Sequence, residues 1–173
     1  FLYTNWSLRV KKKIHKINHK IIYFDWFFMA HHFKNNHKTW KNNHLKGGGV
    51  IRFYGIHLIA LLAEFGYSEV NYSKIKVDTE GFYTDWKASF LGESLPTCRI
   101  EINTKSNHFK FNIWGINKKD EPEVLLNLKT PFDQEIPIEN YDKRVSLLRK
   151  IISDPRFVEN TELYKTTNNL WKN

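Results

Sequence analysis

The chain has 173 residues, of which 41% are hydrophobic and 16% aromatic, so wholesale disorder is excluded and a packed globular domain is expected. The single cysteine, Cys98, excludes an intramolecular disulfide and favours a reducing compartment. No apolar run approaches the roughly 20 residues that span a bilayer. We therefore expect an intracellular, cytoplasmic protein with no transmembrane segment.

The net charge of +9 is concentrated in the first third of the chain. Residues 1–52 contain 11 lysines and arginines and one acid, Asp25, whereas residues 53–173 contain 16 basic and 17 acidic residues. Such asymmetry is typical of a segment that contacts an anionic partner. A genome with a biased base composition also produces an excess of lysine over arginine, here 21 against 6, but it should enrich the whole chain evenly.

The first predicted element is a basic amphipathic helix with the sequence SLRVKKKIHKINHKII. Its apolar stripe consists of Val10, Ile14, Ile17 and Ile21, spaced four, three and four residues apart. The aromatic run 23–28 has no clear period and predicts either a continuation of this helix or a short buried strand. Residues 31–49 are polar and rich in asparagine, which predicts a loop or a frayed helix that ends at the triple glycine.

An apolar helix is predicted over residues 52–65, with Gly66 as the residue that ends it. Four strands are predicted next, in NYSKIKVD, FYTDWKASF, CRIEINTK and HFKFNIW. The segment EVLLNL predicts an additional fifth strand. Alternation in three of these strands predicts the inward-facing residues, which are Phe82, Thr84, Trp86, Ala88, Phe90, Cys98, Ile100, Ile102, Phe109, Phe111 and Ile113. The pattern is typical of an antiparallel meander with one packed face.

A second amphipathic helix is predicted from about residue 141 to 152, capped by Asn140 and packed through Val145, Leu148 and Ile152. Asp154-Pro155 should end it, and residues 159–173 form a last short helix. The predicted fold is α+β, with a four- to five-stranded antiparallel meander, packed helices and a basic, helical or looped N-terminal third. We divide the chain into segments 1–49 and 50–173 that fold as one compact unit.

Residues 33–46 contain a tandem repeat, FKNNHKT followed by WKNNHLK. Its lysines suit phosphate contacts, and Trp40 suits stacking on a base. The leading hypothesis is therefore non-catalytic binding of a polyanion, principally nucleic acid, without a cofactor. The residues predicted to bind it are Lys11, Lys12, Lys13, Lys16, Lys20, Lys34, Lys38, Trp40, Lys41 and Lys46.

The histidines do not predict a metal site. His15 and His19 would share a helix face, but stable sites need three or four ligands. His37 and His44 are seven residues apart, which is a rise of about 10 Å on a helix. We expect these side chains to be exposed in a polar loop.

Two alternative functions remain open, and with them the question whether the protein is an enzyme. Asp78, Asp85 and Lys87, with Glu64 on the preceding helix, could hold Mg²⁺ and activate water in a nuclease. The same residues are common on the solvated face of an antiparallel sheet. The other alternative is an inhibitor or immunity-type module whose basic face binds an acidic protein.

Overall fold

The computed structural model describes residues 1–16, 19–136, 140–155 and 160–172. The helices are α1 (Ser7–Lys16), α2 (His31–Lys34), α3 (Ile56–Phe65), α4 (Lys143–Ser153) and α5 (Thr161–Lys172). The strands are β1 (His19–Met29), β2 (Glu69–Val77), β3 (Tyr83–Leu91), β4 (Thr97–Asn103), β5 (Lys105–Asn117) and β6 (Pro122–Leu128). Two 3₁₀ turns, Trp40–Asn42 and His44–Lys46, and a π-helix, Val50–Gly55, connect α2 to α3.

All six strands form one mixed, mostly antiparallel sheet in the order β2-β3-β4-β1-β5-β6. β1 lies between β4, to which it is parallel, and β5, to which it is antiparallel. The α+β class is confirmed, but the prediction of a four- to five-stranded meander is wrong. The missing strand is β1, which the basic N-terminal third supplies to the middle of the sheet.

The first predicted helix is shorter than expected. α1 ends at Lys16, and β1 has begun by His19, so Ile21 lies on a strand and not on a helical stripe. Ile17 lies outside the described residues. The buried residues of α1 include Val10 and Ile14, as predicted.

The inward-facing residues of β3 and β4 are confirmed except for Phe82, which precedes β3 and is half-buried. Thr84, Trp86, Ala88 and Phe90 are buried on β3, and the three predicted residues of β4 are buried as well. On β5, Phe111 and Ile113 are buried, whereas Phe109 is 56% exposed and was wrongly predicted to face inward. The fifth predicted strand exists as β6.

The core lies between one face of this sheet and the helices α1, α3 and α5. Gly66 ends α3 in the left-handed conformation (φ 102°), as predicted. The stretch His44–Phe65, with mean hydropathy 1.4, is long and apolar enough to cross a membrane by length and composition alone. Half of it is buried inside the structure, which is typical of a core helix of a globular protein.

The helix α4 differs in detail from its prediction. Its N-cap is Asp142, whose carboxylate accepts a hydrogen bond from the Arg144 amide, and not Asn140. Leu147 is its buried residue, whereas Leu148 and Ile152 are exposed. The helix ends before Asp154, as predicted.

Candidate functional site

An aromatic cluster lies beside the end of β1 and the start of α3. We call Trp26, Phe28, Phe53, Tyr54 and His57 the aromatic surface; Trp26 is buried beneath it, and the other four are exposed or partly exposed. The Tyr54 ring lies 5.7 Å from Trp26, 4.9 Å from Phe28 and 4.8 Å from Phe53, measured between ring centroids. Phe1 links Trp26 to His57, at centroid distances of 5.2 and 5.5 Å.

The π-helix Val50–Gly55 determines which side chains reach this surface. A π-turn contains more residues per turn than an α-helix, is rare, and occurs frequently at functional sites. It passes close to the sheet at Gly55, where a Cβ atom would lie 2.9 Å from the Trp86 ring. Glycine at this position therefore lets the turn pack on β3, while Tyr54 and His57 stay partly accessible.

Three ionisable groups at this surface have shifted pKa values. The packed rings desolvate the His57 imidazole and lower its pKa to about 4. Burial, followed by the charges of Lys41 and His31, lowers the pKa of His32 to about 4. Burial raises the pKa of Tyr54 to about 12.

At neutral pH this surface therefore offers neutral imidazoles that accept a proton and a phenol that donates a hydrogen bond. His57 is an exposed residue, so its imidazole is within reach of a ligand. Clustered groups with shifted pKa values are a physical indicator of a functional site. Sequence periodicity did not single out His57, because the stretch around it reads as an apolar core helix.

The lowered pKa of His32 makes stability depend on pH. His32 is 5% exposed, and an unfolded histidine has a pKa of about 6.5. Between these two pKa values the unfolded chain binds more protons, so stability is lost as the pH falls from about 6.5 to about 4. We expect His32 to lower the free energy of unfolding by up to about 3 kcal/mol over this range.

Urea denaturation at pH 7, 5.5 and 4.5 measures this loss. His32→Gln should flatten the pH dependence, whereas His37→Gln, an exposed histidine of the same loop, should leave it unchanged. Equal slopes for the wild type and His32→Gln would show that His32 does not titrate with a lowered pKa.

The predicted nuclease residues have structural partners. The Asp78 carboxylate accepts hydrogen bonds from the amides of Glu80 and Phe82 and closes the β2–β3 turn. Burial acts to raise its pKa, but the hydrogen bonds from Lys105 and from these amides outweigh burial and lower it. The Asp85 carboxylate accepts from the Asn103 amide at 2.8 Å.

The other two predicted nuclease residues form ion pairs. Lys87 lies 2.9 Å from Glu101 on the neighbouring strand, and this hydrogen bond raises the pKa of Lys87. Glu64 lies on α3, 2.9 Å from the Lys11 ammonium. Within the described residues, no three acidic, histidine or cysteine side chains are placed to hold a metal ion.

The ten residues predicted to bind nucleic acid do not form one continuous surface strip. Lys11 pairs with Glu64, and Lys20 pairs with Asp120 at 2.7 Å. Trp40 is 50% exposed and contacts Phe53 with its ring edge at 5.4 Å. The remaining residues of the set are exposed or partly exposed, namely Lys12, Lys13, Lys16, Lys34, Lys38, Lys41 and Lys46.

The second copy of the tandem repeat, WKNNHLK, folds into the two 3₁₀ turns, which pack closely on each other. The Thr39 hydroxyl accepts from the Lys41 amide, and the Asn43 side chain accepts from the Lys46 amide, both at 3.3 Å. A Cβ atom at Gly48 would lie 2.3 Å from the Trp40 carbonyl oxygen and 2.4 Å from that of Lys41. The triple glycine therefore lets the second turn fold against the first.

A separate cavity of about 420 Å³ lies on the sheet face opposite the core, against Tyr23, Lys87, Arg99 and Glu101. Lys87 and Glu101 pair with each other, and the Arg99 guanidinium lies over the Tyr23 ring at 5.8 Å. The Tyr23 ring stacks on Trp114 at 4.1 Å. Because these groups satisfy one another, the aromatic surface is the stronger candidate site.

The sequence matches no protein-family model and no curated protein. Solved structures do share the fold. GenD2 from gentamicin A biosynthesis, in complex with NAD, has a TM-score of 0.65 at 9% identity, and the match covers 99% of this chain and 59% of that one. D-galactose-1-dehydrogenase from Rhizobium etli has a TM-score of 0.64 at 12% identity, covering 98% and 56%. A myo-inositol dehydrogenase from Corynebacterium glutamicum has a TM-score of 0.60 at 11% identity, covering 98% and 59%.

The described residues do not fit the phosphates of NAD. Dinucleotide-binding folds place a glycine-rich turn between a parallel strand and a helix, open to the pyrophosphate. Here the triple glycine follows a 3₁₀ turn in a mostly antiparallel fold. The space next to Gly48 that a bound phosphate would occupy is filled by the carbonyl groups of Trp40 and Lys41.

These matches correct the functional predictions. Nucleic-acid binding, the Mg²⁺-dependent nuclease and the immunity-type module are wrong, because the solved chains that share this fold are oxidoreductases and NAD-binding proteins. The prediction that no cofactor is involved is wrong for the same reason. The chain spans less than two thirds of each of these matched proteins, and it has the fold of the part that it covers.

Proposed function

We propose that this chain is the substrate-binding part of an NAD-dependent oxidoreductase that acts on a hydroxylated small molecule, such as a sugar or a polyol. The observation that carries the proposal is His57, a neutral imidazole that is exposed on the aromatic surface. The fold shared with a galactose dehydrogenase and a myo-inositol dehydrogenase supports this class of substrate.

His57 acts as the proton acceptor for the substrate hydroxyl. With a pKa of about 4 its ring is unprotonated at neutral pH and can accept a hydrogen bond from the substrate hydroxyl. It is a weaker base than a histidine of ordinary pKa, the commonest general base in enzymes. The Tyr54 hydroxyl stays protonated and donates a hydrogen bond to a second substrate oxygen. The partly exposed Phe28 and Phe53 rings provide apolar faces for the C–H groups of a sugar ring.

NAD is bound by residues other than those described here. Its hydride chemistry belongs to the cofactor, and the Trp40 and Lys41 carbonyls fill the space at Gly48 that its phosphates would need. The chain spans 59% of the GenD2 chain. We therefore propose that this chain forms the side of the active-site cleft that binds the substrate. A separate part of the enzyme forms the side that binds the dinucleotide.

The proposal is tested by adding D-galactose and myo-inositol to the chain without NAD, and recording histidine ring NMR signals and tryptophan fluorescence. We expect the His57 signal, assigned with His57→Gln, to shift on addition of one of these ligands. Trp26 fluorescence should change with it. The exposed His37 provides the internal control, because its signal should not move.

A shift at His37 as large as at His57 would indicate nonspecific binding and would contradict the proposal. Unchanged His57 signals at saturating concentrations of both ligands would contradict it as well. NAD alone should leave the spectrum unchanged. Tight NAD binding by the chain would overturn the assignment to the substrate side.

We also propose that residues 1–49 and residues 50–173 fold as one unit, because β1 pairs on both sides with strands of the second segment. A cytoplasmic location follows from the chemistry proposed and from the buried thiol of Cys98. An acidic protein partner stays a prediction.

A further inference from the structure

The loop that borders the aromatic surface carries uncompensated positive charge. Residues 31–46 contain four lysines and no acid. Some lysines elsewhere in the fold have carboxylate partners, such as Lys11 with Glu64 and Lys110 with Asp25. Among the described residues, no carboxylate pairs with a lysine of the loop, namely Lys34, Lys38, Lys41 and Lys46.

Lys41 is the lysine of this loop that reaches the aromatic surface. Its ammonium lies 5.1 Å from the centre of the Phe53 ring. Phe53 in turn contacts Tyr54, with 4.8 Å between the two ring centroids. The ammonium therefore lies against the aromatic surface, at Phe53.

The backbone of Lys41 is held in place before any ligand binds. The Thr39 hydroxyl accepts from its amide, and Gly48 packs against its carbonyl so closely that no Cβ atom fits between them. A charge on a fixed backbone loses less entropy when it binds a ligand than a charge on a mobile loop.

The charge of Lys41 also changes the electrostatic potential next to the aromatic surface. It contributes to the lowered pKa of the buried His32, whose ring stacks near Tyr54 at 6.5 Å. Low-dielectric walls strengthen such a field. An anionic group bound here would be attracted by Lys41 and would be desolvated by the surrounding rings.

We propose that Lys41 is a specificity-determining residue that binds one anionic group, a carboxylate or a phosphate, on the substrate. This inference rests on the proposed function and narrows its substrate class to sugar acids or sugar phosphates. It concerns a single anionic group beside Phe53 and not a polymer bound along the basic segment. The neighbouring aromatic rings pack on the uncharged part of the same molecule.

The test compares the affinities of D-galactose, D-galacturonate and D-galactose 6-phosphate by calorimetry, for the wild type and three variants. We expect one of the two anions to bind at least about 10-fold more tightly than galactose, as one charge-assisted contact provides. Lys41→Gln should remove this preference and leave galactose binding unchanged. Lys41→Arg should retain it, and Lys38→Gln, the matched control in the same loop, should have no effect.

Equal affinity of the wild type for galactose and both anions would overturn the inference and leave the proposed function standing. The same would follow if Lys38→Gln and Lys41→Gln reduced the preference equally, since the loop would then act only through its overall charge. The absence of binding by all three sugars would overturn both. The measurements with D-galacturonate and D-galactose 6-phosphate show whether the site binds a carboxylate or a phosphate.

Discussion

Replacing Phe24 by alanine is expected to lower the free energy of unfolding by about 3–5 kcal/mol, the usual cost of truncating a fully buried phenylalanine. Phe24 is 0% exposed and lies on β1. It is opposite Ile100 of β4 on one side and Ile113 of β5 on the other. The cavity would therefore open at the centre of the sheet, where the neighbouring strands have little room to collapse.

Urea denaturation of Phe24→Ala and Phe27→Ala measures this effect. Phe27 lies on the same strand but faces away from the core, partly exposed beneath the Lys110 ammonium. Its truncation should cost about 1 kcal/mol, as for an ordinary partly exposed site. Equal losses for the two variants would contradict the central position of β1.

His57→Gln is expected to reduce turnover in the presence of NAD by about 10²- to 10⁴-fold, the usual contribution of general acid–base catalysis. Glutamine can still form hydrogen bonds but cannot accept the proton of a hydroxyl group. The affinity for the substrate should therefore change little while the rate falls. Steady-state kinetics of the complete enzyme separate these two effects.

The pH profile and a control variant make this prediction specific. With a pKa of about 4 the imidazole becomes protonated only in strong acid, so the acid limb of kcat/KM should fall near pH 4. That limb should disappear in His57→Gln. His37→Gln should behave as the wild type, and full activity of His57→Gln would remove His57 from the mechanism.

The sequence predicts the inward-facing residues of a strand most accurately when one face of the strand is buried and the other is solvated. In β3, Trp86 and Phe90 alternate with Asp85 and Lys87, so period two is visible and the inward face was identified correctly. In β1, buried Ile22, Phe24 and Trp26 alternate with residues that are also mostly aromatic, so the period is hidden. Its pairing partners lie more than 70 residues away, which a local pattern cannot reveal.

The candidate site was missed for related reasons. Trp26 and Tyr54 meet through the fold and not through spacing along the chain. A π-turn has no sequence signature that separates it from an apolar α-helix, and this turn is what brings Tyr54 and His57 onto one surface. The loop of lysines was recognised from its charge, but its contact with the aromatic surface, between Lys41 and Phe53, is visible only in the structure.

The position of β1 also has a consequence during synthesis. Ribosomes complete β1 at residue 29, but its antiparallel partner β5 ends at Asn117. At about 5–20 residues per second, the sequence HKIIYFDWFFM waits about 4–18 s without its final neighbour. A strand this rich in apolar and aromatic residues is prone to associate with other chains when it is unpaired. Expression yield should therefore depend on chaperones that bind nascent chains and on slow accumulation of the protein, even where the finished fold is stable.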